Sequence, residues 1–350
     1  MPKTYRAAII GAGSQRPNGH WGGMGRGHAH GYHVHPRAKL VAVSDIKLEN
    51  AAALGEEYGA EALYTNHRNM LKEMDIDIVS VCTWPETHCK IVQDCARASV
   101  KAIHSEKPMA PTWGEAQRMA AACEKAGVQL TFNHQRRFLE SFQRARELAN
   151  DGTIGELKRM EATCPNMMDW GTHWFDMLCF MNNETDVEWV IGQIDGRDGH
   201  DVFKLSHAGQ GISYFKYANG VRGQLITGHD ADIGGCEIRL TGDLGVIEIS
   251  NHAPNLRVRG AGRKDWKEVK TSEGLHGMSA VDCAIADAID CIGKKREPML
   301  AARRALRSTE LIFATYESSR LRQRIDLPLN TKDSALLTML AEGVWSKKKR

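Results

Sequence analysis

Two groups of residues in this chain combine side-chain types and spacings that could do chemistry. Lys107 closely follows the apolar run Val100-Lys101-Ala102-Ile103. If that run is a parallel strand, the lysine sits at its carboxyl end, the edge where open α/β sheets bind ligands. An ammonium there can donate to a reacting oxygen and stabilise negative charge on it. The competing reading is a surface lysine paired with Glu106. Asp169 and His173 stand four apart, which on one helical turn puts them on a shared face. A helix beginning at Asp169 would also be capped by it. The pair suits general acid–base work, because histidine titrates near neutral pH and a carboxylate can orient or support it. An ordinary capped helix with a partly buried histidine is the alternative.

A third group has the form of an anion cradle. Gly11-Ala12-Gly13 follows the apolar Ala7-Ala8-Ile9-Ile10. Glycines there let the backbone turn tightly and let a phosphate approach main-chain N–H groups at a helix N-terminus. Asp45 ends a second apolar run, Leu40–Ser44, where a carboxylate can accept from ribose hydroxyls. That favours NAD over its 2′-phosphorylated form, although Lys47 could meet a phosphate. Asp45 lies 34 positions beyond Gly11, against the about 20 of the usual fingerprint. The glycine-rich segment from Ser14 to His28 reads as a lengthened phosphate loop.

These groups need a scaffold, and the hydrophobic pattern supplies one. Runs at Ala7–Ile10, Leu40–Ser44, Ile76–Val81, Val100–Ile103 and Val128–Phe132 show little polar alternation, as strands buried on both faces do. Helical patterns lie between them, at Glu49–Tyr58 and from a capping box at Thr112–Glu115 to about Lys125. Repeated strand–helix–strand units predict a parallel, doubly wound sheet. After about residue 150 strand signals dominate. Ala218-Asn219-Gly220 and Gly242-Asp243-Leu244-Gly245 predict tight hairpins, hence a mostly antiparallel open sheet. Helices are expected at about 278–293 and 301–320. We expect a dinucleotide-binding domain over 1–132 and an α+β substrate and oligomerisation domain over 133–350.

Composition narrows the class. At 350 residues the length suits two domains. With 42% hydrophobic and 25% charged residues, the chain can build sizeable cores. Lys+Arg 46 against Asp+Glu 43 leaves +3, too little field to draw nucleic acid or an anionic membrane. Nine scattered cysteines without a CxxC pair read as reduced thiols, not a zinc site. Histidines 20, 28, 30, 33 and 35 form a cluster, but no carboxylate or cysteine joins it, so no metal is expected. No apolar run reaches membrane-spanning length and no signal peptide is evident. A cytoplasmic location is expected. The Lys347–Arg350 run reads as a solvated tail.

The chain resembles the Gfo/Idh/MocA family of NAD(P)-dependent sugar and polyol oxidoreductases over nearly its whole length. Gly25, His28 and Pro36 keep the family's glycine–histidine–proline spacing, with an insertion of about nine residues between Gly13 and Gly25. Thr83-Trp84-Pro85-Glu86-Thr87-His88 looks like its TPxxxH stretch, with Trp84 in place of proline. Glu106-Lys107-Pro108 matches its EKP motif, and Asp169–Asp176 its DxGxHxxD pattern.

The resemblance implies a Rossmann domain followed by the open-sheet domain. It also implies oxidation of a secondary hydroxyl on a sugar, cyclitol or derivative to a ketone, with NAD⁺ accepting hydride. Lys107, Asp169 and His173 become the expected catalytic set, His173 taking the hydroxyl proton. The cofactor is expected against Gly11, Gly13, Ser14, Gly25, His28, Asp45, Ile46, Thr83, Trp84, His88, Glu106, Lys107 and Arg136. Lys107, Trp170, Asp169, His173 and Asp176 are expected to face the sugar, Asp176 in a supporting place, with Trp84 and Trp170 as stacking walls or plain packing. A homodimer or homotetramer through the open sheet is expected, with no nucleic acid or membrane partner. Two rivals keep the same motifs: an NAD-retaining enzyme that cleaves glycosides by transient oxidation and elimination, and a non-catalytic sensor of NAD or sugar.

Overall fold

The unalternated apolar runs become the strands of a six-stranded parallel sheet. In order across the sheet these are Ala62–Tyr64, Ala38–Ser44, Tyr5–Ile10, Ile78–Val81, Ala102–Ser105 and Gln129–Phe132. Numbered along the chain, that is 3-2-1-4-5-6, the doubly wound dinucleotide-binding order. The order reverses between Tyr5–Ile10 and Ile78–Val81, so the crevice outside their carboxyl ends is the expected ligand position. Every residue of Ile78–Val81 and Ala102–Ser105 is buried, which is why their polar alternation is missing. The structure is a computed structural model and describes residues 3–15, 21–197, 199–275, 277 and 279–345. His20, part of the long loop and the Lys347–Arg350 tail lie outside the described residues.

A second sheet has nine strands. Its order is Lys267–Glu268, Leu256–Arg259, Val246–Ile249, Ile238–Gly242, Leu157–Cys164, Arg222–Thr227, Gln210–Tyr217, Val187–Asp195 and Ile325–Asp326. All neighbours pair antiparallel except Leu157–Cys164 with Arg222–Thr227. Both expected hairpins form, the first around Gly220 at φ +88°. Period-two patterning sorts Gln210–Tyr217: Ser213, Phe215 and Tyr217 are buried, whereas Ile212 is 41% exposed. The helix Gly171–Met181 packs on the Leu157–Cys164 and Arg222–Thr227 strands.

The chain divides into two compact units, and the first is discontinuous. The sheet of residues 5–132 is joined by the helix Ser279–Cys291, which follows the second unit's strands in sequence. Its apolar stripe explains the return. Ile285, Ala288 and Ile289, with Ile292, share one core with Ala7, Ile9, Ala29 and Tyr32. Apart from residues 112–114, the chain leaves the first unit after Gln135, rejoins it with the helix Ser279–Cys291 and leaves again after Ala305, whereas a single cut between 132 and 133 was expected. The late helices appear at Ser279–Cys291 and Ala302–Leu321, and a further one, Ala335–Ala341, was not foreseen.

Candidate active site

In the first unit, the glycine turn forms for a steric reason. Gly11 has φ +94°, and a Cβ there would lie 2.8 Å from the Cys82 carbonyl. Gly25 opens the helix Gly25–Val34, and a Cβ on it would come within 2.7 Å of the Ala12 carbonyl oxygen. The insertion is thus spliced into the fingerprint between a strand-side glycine and a helix-side glycine. Its described ends, Ser14–Gln15 and Trp21–Gly22, pair as a small antiparallel ribbon. The longer Gly11-to-Asp45 spacing is absorbed there, and the sheet is left regular.

Asp45 follows the Ala38–Ser44 strand and braces this turn. One carboxylate oxygen accepts from Ala12 N (2.9 Å) and Gly13 N (3.4 Å); the other accepts from Lys47 N (2.9 Å) and Asn50 Nδ2 (3.2 Å). Its neighbour Ile46 is 88% exposed. After the Ile78–Val81 strand, Thr83 is half-buried and accepts from the Thr87 hydroxyl at 2.7 Å. Trp84 is 46% exposed and precedes the helix Pro85–Arg97. These positions share the carboxyl edge of the sheet.

Three residues expected against the cofactor are placed behind that edge instead. His88 is fully buried, with Nδ1 3.1 Å from the Pro108 carbonyl and Nε2 3.0 Å from the Thr83 carbonyl. It ties the two loops together. His28, also fully buried, has Nδ1 2.9 Å from Ser80 Oγ and Nε2 3.0 Å from Glu106 Oε1. Glu106 in turn accepts from Asn133 Nδ2 at 2.7 Å and, through Oε2, from the Lys107 amide at 3.2 Å. Burial pushes the Glu106 carboxyl up, but the His28 hydrogen bond, the nearby cations and Asn133 outweigh that and hold it down to about 2. Lys107 itself is half-exposed, two residues past Ala102–Ser105.

The remaining histidines of the cluster diverge. His30 bonds Asp282, His33 meets the edge of Tyr58, and His35 faces Asp290. Arg26 pairs with Glu57.

In the second unit, His173 lies in the first turn of Gly171–Met181 and is 4% exposed. Asp169 lies one residue before the N-cap position of this helix. Trp170 is the N-cap residue and makes no side-chain cap, so the four-residue helical spacing does not apply to Asp169. Asn166 takes the work instead: its Oδ1 accepts from Asp169 N (2.8 Å) and Trp170 N (3.1 Å), and its carbonyl from Gly171 N (2.9 Å). The Pro165-Asn166 pair was the available sequence signal, since asparagine folds its own turns.

Asp176 is fully buried, and both of its oxygens are bound by Arg137, each at 2.7 Å. Arg137 also holds Glu184. Arg136 stacks its guanidinium 4.1 Å from the Trp174 ring and 5.2 Å from the Trp170 ring. Burial lowers its pKa to about 10. Trp170 is thereby an aromatic wall to Arg136.

Comparison with known proteins identifies the family and the fold. Residues 5–134 match the family model GFO_IDH_MocA, described as an oxidoreductase family with an NAD-binding Rossmann fold. Residues 157–327 match the model of that family's C-terminal alpha/beta domain. The chain therefore belongs to the Gfo/Idh/MocA family of NAD-binding oxidoreductases. Among curated relatives, D-apiose dehydrogenase of Paraburkholderia graminis is 25% identical over 97% of this chain and 94% of its own length. D-glucoside 3-dehydrogenase of Escherichia coli is 32% identical over 43% of this chain and 41% of its own. A solved oxidoreductase from Agrobacterium radiobacter, in complex with NAD+, L-tartaric acid and magnesium, shares the fold with a TM-score of 0.78 at 18% identity, covering 93% of this chain and 98% of that one.

Proposed function

We propose that this protein oxidises a secondary hydroxyl of a sugar, cyclitol or sugar derivative to a ketone, reversibly, with NAD as hydride acceptor. The supporting observation is the Gly11 turn, Asp45 and Lys107 on the same carboxyl edge of a 3-2-1-4-5-6 sheet. The curated relatives named above act on sugars by their names, which supports the substrate class. The residues of the first unit fit a dinucleotide. Gly11, Gly13, Ser14 and Gly25 would cradle its phosphates, and Asp45 and Ile46 its adenosine half, with Thr83 and Trp84 lining the switch point. NAD supplies the hydride acceptor when bound.

The chain's own residues do the rest. Lys107 donates to the reacting oxygen and stabilises its negative charge. His173 removes the hydroxyl proton, with Asp169 supporting it. Within the second unit, Trp170 stacks on Arg136. His28, His88 and Glu106 hold the cofactor-side loops from behind. Seven of the nine cysteines are buried and all nine are free, in keeping with a reducing, cytoplasmic setting. Among the described residues no helix is long and apolar enough to cross a membrane.

The test is a panel of polyols, sugars and nucleotide sugars with NAD⁺ and NADP⁺, followed by reduced-nicotinamide absorbance. Reduction with at least one sugar or polyol, NAD⁺ preferred, is expected and should vanish in Lys107→Ala. Cleavage of a glycoside without net NADH would replace this reaction with the eliminating one. Tight NAD binding with no turnover on any member would leave a sensor.

A further inference from the structure

A serine stands in the middle of a strand otherwise made of Ile78, Val79 and Val81, buried on both faces. A polar group in that position needs partners, and Ser80 has two. Its Oγ lies 2.8 Å from the Tyr32 hydroxyl and 2.9 Å from His28 Nδ1. Tyr32 and His28 are four apart on the helix Gly25–Val34, on one face, and both are fully buried. From His28 Nε2 the path continues to Glu106 Oε1, and from Glu106 Oε2 to the Lys107 amide.

We propose that Tyr32, Ser80, His28 and Glu106 form a one-way hydrogen-bond chain whose task is to position Lys107. This rests on the role given to Lys107 above. The direction follows from which ends can only give or only take. The Glu106 carboxylate only accepts. A bare lone pair on Nε2 facing Oε1 at 3.0 Å would be repelled, so Nε2 carries the proton and donates. In the proposed chain Nδ1 accepts, the Ser80 hydroxyl donates to it, and Ser80 Oγ accepts in turn from the Tyr32 hydroxyl. Run the other way, Ser80 would donate to Tyr32, whose own proton would then meet no acceptor among the described residues. The carboxylate thus sets the imidazole tautomer, and the serine and the phenol hold from the other side the ring that keeps this carboxylate on the Lys107 amide. Asn133 Nδ2, 2.7 Å from Oε1, holds the carboxylate from a second side. Tyr32, Ser80, His28 and Glu106 are positioning residues, acting through Lys107.

Nitrogen-15 NMR of the histidine rings reads the chain directly: His28 should be the Nε2–H tautomer in the native protein and remain so in Tyr32→Phe. A His28 ring protonated on Nδ1 in the native protein overturns the proposal. Kinetics read the consequence. Ser80→Ala should lower kcat about tenfold, one hydrogen bond's worth, with KM for the substrate and NADH affinity held within about twofold. Tyr32→Phe, which removes a single oxygen and is expected to fold, should lose less. The double variant should match Ser80→Ala alone, because Tyr32 has nothing to act through once the serine hydroxyl is gone. Unchanged kcat in both single variants, or losses that multiply in the double, defeats the chain while Lys107→Ala still abolishes turnover. Turnover surviving Lys107→Ala instead defeats the functional reading, and the chain's purpose with it.

Discussion

Arg137 is a charged residue that belongs to the core. Its guanidinium is 1% exposed and spans Asp176 and Glu184. Replacing one partner leaves an uncompensated buried charge, which costs about 3–5 kcal/mol. Arg137→Met should therefore lower unfolding stability by that amount in urea titrations, whereas an exposed arginine such as Arg68 should cost little. Two other buried groups shape acid stability. Burial lowers the His104 imidazole to about 3 from an ordinary 6.5, so below pH 6.5 the unfolded chain takes up a proton that the folded chain refuses, and stability falls from there toward about pH 3. Glu106, held at about 2 against 4.5, adds a second loss from pH 4.5 downward. His104→Gln should flatten the urea midpoint between pH 6.5 and 4.5, and an unchanged slope would contradict the assignment. Lys107, Asp45 and His173 were legible because motif and strand end coincide. Ser80 and Tyr32 were not, although a lone serine in an apolar strand and a tyrosine four after a histidine were both visible. Their meaning depends on a helix face meeting a strand, which spacing along the chain does not encode.

At the scale of elements, local chemistry explains what could be read and what could not. The strand–helix alternation and both hairpins rest on signals confined to a few residues: unalternated β-rich runs, Asn219-Gly220, and the left-handed Gly127 after Trp113–Ala126. The turn before Gly171–Met181 is organised by Asn166, whose side chain accepts from the Asp169 and Trp170 amides. Asn166→Ala should cost about 1–2 kcal/mol, as loss of an N-terminal cap does. Because this turn carries His173, kcat should fall further than an equally destabilising change elsewhere in the unit. Equal losses would show that Asn166 supports only folding.

At the scale of the molecule, the nine-stranded sheet leaves apolar side chains in the open. Ile191 and Ile212 are 48% and 41% exposed on neighbouring strands. Trp189 lies near Tyr214 at 6.0 Å, with Arg222 and Arg324 each 5.9 Å from its ring. Tryptophan, tyrosine and arginine together are the residue types that dominate protein interfaces. We propose that this face joins copies of the chain into a dimer or tetramer. Ile212→Arg should shift the mass measured by light scattering toward the monomer; a native protein already monomeric at micromolar concentration would dismiss the idea.

The helix Ser279–Cys291 has a consequence for how this protein can be divided. Its Ile285 and Ile289 complete the core around Tyr32 and Ile9, so a fragment ending near residue 135 is missing a wall. Expressed alone, that fragment should be insoluble or molten, and one recombination crossover near position 135 could not transplant the nucleotide-binding half into another protein. Modular exchange would need three joints, near residues 135, 278 and 305.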